Sequence, residues 1–63
     1  MKIFVEHYRL EKGLTLSELA RMSGVAKSHI HNIERGTKIP TLTALCKISK
    51  ALGVPCSDLF SCD

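Results

Sequence analysis

The chain has 63 residues, of which 44% are hydrophobic, 24% are charged and only 5% are aromatic. A chain of this length forms one small domain near the lower limit of independent folding, so it has little room for an enzyme pocket, and its apolar content excludes a disordered chain. The net charge of +3 is only mildly basic, so the distribution of charge is more informative than its sum. Between Leu19 and Ser57 there are six basic side chains and a single acidic one, Glu34. This part of the chain is therefore locally cationic, as a nucleic-acid-binding surface is, although an ordinary solvated face can carry the same charge.

The three cysteines show no CxxC spacing, and no apolar stretch has the length of a signal peptide or a membrane span. We therefore expect a reduced cytoplasmic protein that does not contact a membrane. A zinc site formed by Cys56, Cys62 and a histidine would lack the paired ligand spacing of structural zinc sites. His29 and His31 are two residues apart and do not share a helix face, and the sequence contains neither a catalytic constellation nor a glycine-rich phosphate loop. We expect no metal, no cofactor, no small-molecule effector and no enzyme activity.

Glycines and prolines divide the sequence into five segments with helical periodicity, and no segment shows the alternation that is typical of a strand. We therefore predict an all-α fold. The first helix is predicted over residues 2–12, where Val5, Tyr8 and Arg9 recur at three-to-four spacing, and it stops at Gly13.

The start of the second helix is well marked, because Thr15 and Glu18 form a capping box in which each satisfies a backbone N–H group of the other. In the turn that follows, Gly24 can adopt the positive φ needed to enter another helix sharply. That third helix is predicted from Lys27 to Arg35, after Ala26, which offers no capping oxygen.

The fourth helix is predicted to begin after the capping residue Thr41 and to close at Gly53. A last short helix is predicted over residues 56–60, where it supplies Leu59 and Phe60. The side chains of the fourth helix that share its predicted core-facing stripe are Leu42, Leu45, Cys46, Ser49 and Leu52.

A helix, a short turn with glycine and a second helix form the arrangement that places the second helix in the major groove of DNA. On a helical wheel, Ile30 and Ile33 point to one side of the third helix, which we assign to the core. The opposite side carries the side chains that can form hydrogen bonds, namely Lys27, Ser28, His31, Asn32 and Arg35.

Several segments together resemble the Cro/repressor-type helix-turn-helix proteins, also called the xenobiotic response element family. These segments are LTLSELA, SGV, Ile30 followed by IERG, PTL and the stretch from Ile48 to Val54. The resemblance covers nearly the whole chain, and it implies a compact five-helix bundle of the lambda-repressor-like type over residues 1–63. It also implies a bacterial or phage-encoded transcriptional regulator, with repression as the expected outcome, that binds specific double-stranded DNA.

The resemblance places four side chains of the third helix at positions that face bases: Lys27, Ser28, His31 and Asn32. Lysine favours the acceptors of guanine, and asparagine can pair with adenine through two hydrogen bonds. His31 can donate to a base, contact a phosphate or face water, and these alternatives stay open. His29 is expected to pack at the border of the core.

Phosphate contacts are expected at both ends of the helix-turn-helix unit. Thr15 lies at the N-terminus of the second helix, where family members commonly bind a phosphate. Leu16 departs from the polar residue, often glutamine, that the family commonly has at the next position, which puts one contact in doubt. At the other end, Arg35, Thr37 and Lys38 are expected to contact phosphates.

Arg9 and Glu34 resemble the ion pair that joins the first helix to the end of the recognition helix in this family. We expect this pair to be a structural tie.

One recognition helix reads only a few base pairs, so we expect a symmetric homodimer on a palindromic operator. Its interface is predicted at the apolar side chains of the last turns, Val54, Cys56, Leu59 and Phe60. In the alternative, Leu59 and Phe60 only seal the core of the monomer.

Two other functions remain as alternatives to reading DNA. The same fold can serve as a protein-interaction module or as an antitoxin-like partner subunit. RNA binding is disfavoured because aromatic stacking platforms are lacking, since we expect both Phe4 and Tyr8 to be internal.

Overall fold

The computed structural model describes residues 1–62; Asp63, the last residue of the predicted domain, lies outside the described residues. Within this span the chain forms four α-helices, numbered in chain order: Val5–Glu11 (α1), Leu16–Ser23 (α2), Lys27–Arg35 (α3) and Leu42–Leu52 (α4). Helix α2 packs against both α3 and α4, and α1 contacts the same two helices. The third helix has the bounds predicted from the sequence.

The fold is mostly helical, as predicted, but residues near the two ends of the chain also pair as short strands. Strand β1 (Lys2–Ile3) runs antiparallel to strand β2 (Phe60–Ser61), with Ile3 opposite Phe60. The N–H of Phe4 also donates to the carbonyl of Leu59 at 2.8 Å. Strands of two residues are too short to show alternation, and no local pattern records a pairing between the two ends of a chain.

The predicted fifth helix is instead a 3-10 turn, Cys56–Leu59, so the five-helix count was wrong. Pro55 precedes the turn, and Phe60 follows it with an extended backbone (φ −150°, ψ 160°) that joins β2. A segment of four residues is too short for the i to i+4 bonds of a second α-helical turn, so the tighter helix forms.

The predicted capping box at the start of α2 is confirmed. The N–H of Glu18 donates to the Thr15 hydroxyl at 3.1 Å, and the N–H of Thr15 donates to the Glu18 carboxylate at 2.9 Å. The hydrogen bond from the Thr15 backbone lowers the pKa of Glu18. A carboxyl group with a lowered pKa in the folded state stabilises the fold above its unfolded pKa, and this contribution is lost as the pH falls through the folded pKa.

The turn between α2 and α3 depends on Gly24, which has a left-handed backbone (φ +76°). The Ser23 hydroxyl accepts the N–H of Val25 at 3.2 Å and closes the turn. Ala26 precedes α3 without a side-chain cap, as the sequence predicted. The first turn of α3 therefore receives no stabilisation from a capping side chain.

The core takes side chains from all the α-helices of the described span and from the 3-10 turn. Ile30 and Ile33 are fully buried, so the predicted inner face of α3 is confirmed. The large side chains that are less than 2% exposed are Leu19, Ile30, Ile33, Ile48, Leu52, Leu59 and Val5.

Two residues of the predicted inner stripe of α4 face solvent, so that part of the prediction was wrong. Leu42 is 69% exposed and Cys46 is exposed. Both lie roughly 90 to 130° around the helix from the centre of the stripe that Leu45, Ile48 and Leu52 form. Spacing alone could not reveal this, because Leu42 lies three residues before Leu45 and seven before the buried Ser49, and the pattern does not show which side of the helix other elements cover.

Phe4 was also wrongly predicted to be internal, since it is 36% exposed. It lies where β1 passes into α1, outside the helical face that reaches the core. Tyr8 is half-buried and packs against the core.

The N-terminal cap of α4 generates a stability prediction. The Thr41 hydroxyl accepts the N–H of Ala44 at 3.1 Å, whereas Thr43 is exposed within the helix. We expect Thr41→Ala to lower the free energy of unfolding by about 1 kcal/mol. The matched control Thr43→Ala should leave it unchanged or raise it by up to about 0.5 kcal/mol, because alanine favours helix. Urea denaturation of both variants checks this, and equal losses would contradict the role of the cap.

Candidate nucleic-acid interface

In the structure, Arg9 and Glu34 form a bidentate ion pair. The Nε of Arg9 donates to Oε2 of Glu34 at 2.8 Å, and Nη2 donates to Oε1 at 3.1 Å. The side chains of Arg9 and Glu34 are only 10% and 4% exposed. The hydrogen bond to Glu34 raises the pKa of Arg9 above its usual value. Such a planar, desolvated pair fixes orientation more strictly than a surface pair does.

The same arginine also holds the start of the helix-turn-helix unit, because its Nη1 donates to the carbonyl of Leu14 at 2.9 Å. Arg9 thereby joins α1, the segment before α2 and the end of α3. We call this set of contacts, made by Arg9, Leu14 and Glu34, the Arg9 clamp. The clamp also keeps the Glu34 carboxylate away from the solvent side of α3.

The outer face of α3 presents hydrogen-bonding groups and positive charge. Ser28 and His31 are exposed, and so are Lys27 and Arg35. Asn32 is half-buried on the same side. Since Glu34 is held by Arg9, α3 has no exposed carboxylate. The positive charge of this face therefore complements the negative potential of DNA, and its polar side chains can form hydrogen bonds with the donors and acceptors of the bases.

One flank of α3 forms a groove of about 530 Å3 with the first turn of α2. Thr15, Leu16 and Ser17 line it together with Lys27, so a predicted phosphate contact and a predicted base contact lie side by side. The N–H groups of Leu16 and Ser17, in the first turn of α2, have no acceptor within the helix. They are suited to binding a phosphate oxygen whatever the side chain at position 16, so Leu16 leaves these N–H groups available for the predicted contact. Ser17 was not among the contacts predicted from the sequence, although its place in a capped first turn was visible there.

The opposite flank of α3 forms a smaller groove of about 250 Å3 with the start of α4. His29 is half-buried and lines this groove, which agrees with its expected place at the border of the core. Thr41, Thr43 and Lys47 line it from the side of α4. The sequence analysis missed Thr43 and Lys47 because nothing local indicates that the first turns of α3 and α4 lie together.

Thr37 helps to end α3 in this structure, and its phosphate contact stays a prediction. Its N–H and its hydroxyl both donate to the carbonyl of Asn32, at 3.1 Å and 3.2 Å, just after the left-handed Gly36. A hydroxyl has one proton to donate, so in this conformation Thr37 has no donor left for a phosphate. Thr37 ends α3, whereas Arg35 and Lys38 are exposed and keep their charges accessible.

Not all of the residues predicted to form a dimer interface are exposed in the structure. Leu59 is fully buried within the monomer and offers no surface to a partner, so its assignment to an interface was wrong. Val54, Cys56 and Phe60 are half-buried and pack against the core. The 3-10 turn directs the Leu59 side chain inward beside α4, so Leu59 belongs to the core of the monomer.

Residues 1–62 were also considered for a metal site and for a membrane-spanning helix. This span contains no group of three or more His, Cys, Asp or Glu side chains placed to hold a metal ion. None of its helices is both long and apolar enough to cross a bilayer.

The fold and this surface define a helix-turn-helix domain, with α2 and α3 as its paired helices. The helix-turn-helix family model matches residues 5–59 of the chain. The chain belongs to this family.

The relatives include the HTH-type transcriptional regulator SinR of Bacillus licheniformis, which is 43% identical over 58 residues, 90% of this chain. The chain spans about half of that relative's length (52%). The N-terminal DNA-binding domain of SinR from Bacillus subtilis has a similar structure, with a TM-score of 0.86 and 43% identity over 90% of this chain and 84% of that one. A structure of SinR, the master regulator for biofilm formation, in complex with DNA has a TM-score of 0.80 and 44% identity, covering 84% of this chain and 86% of that one.

The burial of the Arg9 clamp generates a second stability prediction. Glu34→Gln and Arg9→Met should each lower the free energy of unfolding by about 3 to 5 kcal/mol, because each leaves a buried partner uncompensated. The double variant should lose less than the sum of the two. As a control, Glu6→Gln should cost only about 0 to 1 kcal/mol, since Glu6 is 62% exposed and lies 3.8 Å from Arg9.

Urea denaturation of the single and double variants checks this coupling. A domain of this size is stable by roughly 3 to 9 kcal/mol, so the variants are best compared in an excluded osmolyte such as sucrose. Small, additive losses would contradict the structural role of the pair.

Proposed function

We propose that this chain is a sequence-specific double-stranded DNA-binding regulator of transcription, which reads the major groove with α3. The observation that carries the proposal is the outer face of α3, which is exposed, cationic and free of carboxylates because Glu34 is held by Arg9. The arrangement of a fixed first helix and an exposed second helix suits this groove. The DNA complex of a relative that is 44% identical adds support.

The geometry suggests a division of labour along the site. We assign Lys27, Ser28, His31 and Asn32 to base edges, because their side chains lie on the exposed side of α3. We assign two groups to phosphates, because they flank α3 at its two ends. The first group is Thr15 with the first turn of α2, and the second is Arg35 with Lys38.

We propose repression as the direction of regulation, since a small domain that occupies an operator blocks other proteins without making further contacts. The chain would act in the cytoplasm, as a bacterial or phage-encoded protein does at its DNA. Residues 1–63 would form one binding domain without a catalytic role, a cofactor or a small-molecule effector.

We also propose that the chain binds as a symmetric homodimer on a palindromic operator, because one helix reads too few bases to select a site. Two recognition helices would then lie about 34 Å apart, matching half-sites about 10 base pairs between centres. Of the residues first considered for the interface, Val54, Cys56 and Phe60 keep some exposed surface.

Selection of binding sites from random DNA tests the reading of bases. We expect a two-fold related consensus sequence for the wild-type chain. Asn32→Ala and Lys27→Ala should each relax preference at one position of the half-site, at a cost of roughly 1 to 3 kcal/mol there. If no sequence is enriched, the chain is an interaction module and not a DNA reader; unchanged consensus sequences for both variants would contradict the assignment of bases.

Phosphate contacts can be distinguished from base contacts by the salt dependence of DNA binding. Arg35→Ala and Lys38→Ala should each weaken binding to selected and random DNA alike, and lower the slope of log K against log salt by about 0.9. Lys12→Ala is the matched control, because Lys12 Nζ lies near Gly53 at the end of α4 and Lys12 lines neither groove beside α3. Titrations at several salt concentrations check this, and an altered consensus with an unchanged slope for Lys38→Ala would contradict the division of roles.

A further inference from the structure

The outer face of α4 carries an apolar stripe that the DNA-binding surface does not use. Leu42 and Cys46 are one helical turn apart and both are exposed, Leu42 by 69%. Together with Lys50 and two further residues of α4 they line an open groove of about 330 Å3. Ile39, which is 83% exposed, lies just before the helix. Exposed apolar side chains grouped on one helix face are typical of a surface that binds another protein.

The stripe continues from α4 onto the 3-10 turn. Cys56 is half-buried there, and its pKa is raised by burial and by the neighbouring Cys46 side chain. A thiol with a raised pKa stays neutral at physiological pH and behaves as a small apolar group. We call the surface formed by Leu42 and Cys46 the α4 stripe; Cys56 lies at its end, where the surface considered for the homodimer begins.

Positive charge borders the α4 stripe, and the first carboxylate after α4 along the chain is that of Asp58 in the 3-10 turn. Lys47 and Lys50 line the same groove as Leu42 and Cys46. No Asp or Glu occurs between Arg35 and Ser57, so the outer face of α4 has no carboxylate of its own. A partner that fits this surface must supply both apolar side chains and negative charge.

The need for both apolar side chains and negative charge distinguishes between the possible partners. A phosphate backbone supplies negative charge but does not cover exposed leucine and thiol groups. A second copy supplies an apolar stripe, but its α4 brings further lysines and no carboxylate to pair with Lys47 and Lys50. An amphipathic helix with apolar residues at three-to-four spacing and flanking carboxylates satisfies both requirements.

We propose that the α4 stripe and its bordering lysines bind an acidic amphipathic helix of a partner protein. The apolar side of that helix lies along Leu42 and Cys46, and its carboxylates pair with Lys50 and Lys47. Lys47 also lines the groove beside α3, whereas Leu42, Cys46 and Lys50 do not. The partner therefore binds beside the DNA surface and touches its edge at Lys47.

Selection from a library of helical peptides tests this proposal. The library has apolar residues at the i, i+3, i+4 and i+7 positions and random Asp, Glu, Lys or Ser at the others. We expect the full chain to enrich peptides with an excess of Asp and Glu. The affinity of the enriched peptides should fall by about tenfold or more for Leu42→Asp and for Lys50→Glu. Met22→Asp is the matched control, because Met22 is 54% exposed on α2 and should not change the affinity.

The Leu42→Asp variant should fold, because position 42 begins α4 and a negative charge at the N-terminus of a helix is favourable. Circular dichroism checks that it does. Failure to enrich any peptide, enrichment without acidic residues, or binding that Leu42→Asp leaves intact would each overturn the proposal. Sedimentation of the chain alone gives a further check, because a dimer that Leu42→Asp abolishes would assign the stripe to a second copy instead.

Discussion

The Arg9 clamp is the contact on which the arrangement of this small domain depends. Three guanidinium nitrogens of Arg9 are used, two on Glu34 and one on the carbonyl of Leu14, so three segments are held by one side chain. A buried ion pair gains little net stability over an apolar contact, because desolvation of both charges opposes their attraction. Its contribution is therefore orientation: it sets α3 against α1 and removes a carboxylate from the surface that would meet DNA.

Helix α3 needs this support because little in its own sequence holds it. It has nine residues, no side-chain cap at Ala26 and two β-branched residues, Ile30 and Ile33, and isolated helices of that length are marginal in water. Burial of both isoleucines and the tie at Glu34 fix the helix from its inner side. The outer side is left free of structural duties, so its side chains can be chosen for recognition. Asn32 also helps to end the helix at Thr37, but it does so through its backbone carbonyl and not through its side chain.

Local signals in the sequence were sufficient to predict the helix-turn-helix unit. The capping box at Thr15, the left-handed Gly24 and the opposed faces of α3 depend on neighbours within a few residues, and the structure agrees with each. The pairing of Ile3 with Phe60 joins opposite ends of the chain, and no local pattern could reveal it. The exposure of Leu42 was missed for a related reason, since apolar character predicts burial only where another element covers the residue.

The proposed DNA-binding surface is the outer face of α3, which the Arg9 clamp holds in place. Amide chemical shifts of the isotopically labelled chain, titrated with a duplex selected from random DNA, locate the surface that binds. We expect the largest changes along α3 and at the first-turn N–H groups of Leu16 and Ser17, with little change in β1 and β2. Changes concentrated on the outer face of α4, with α3 unaffected, would contradict this proposal.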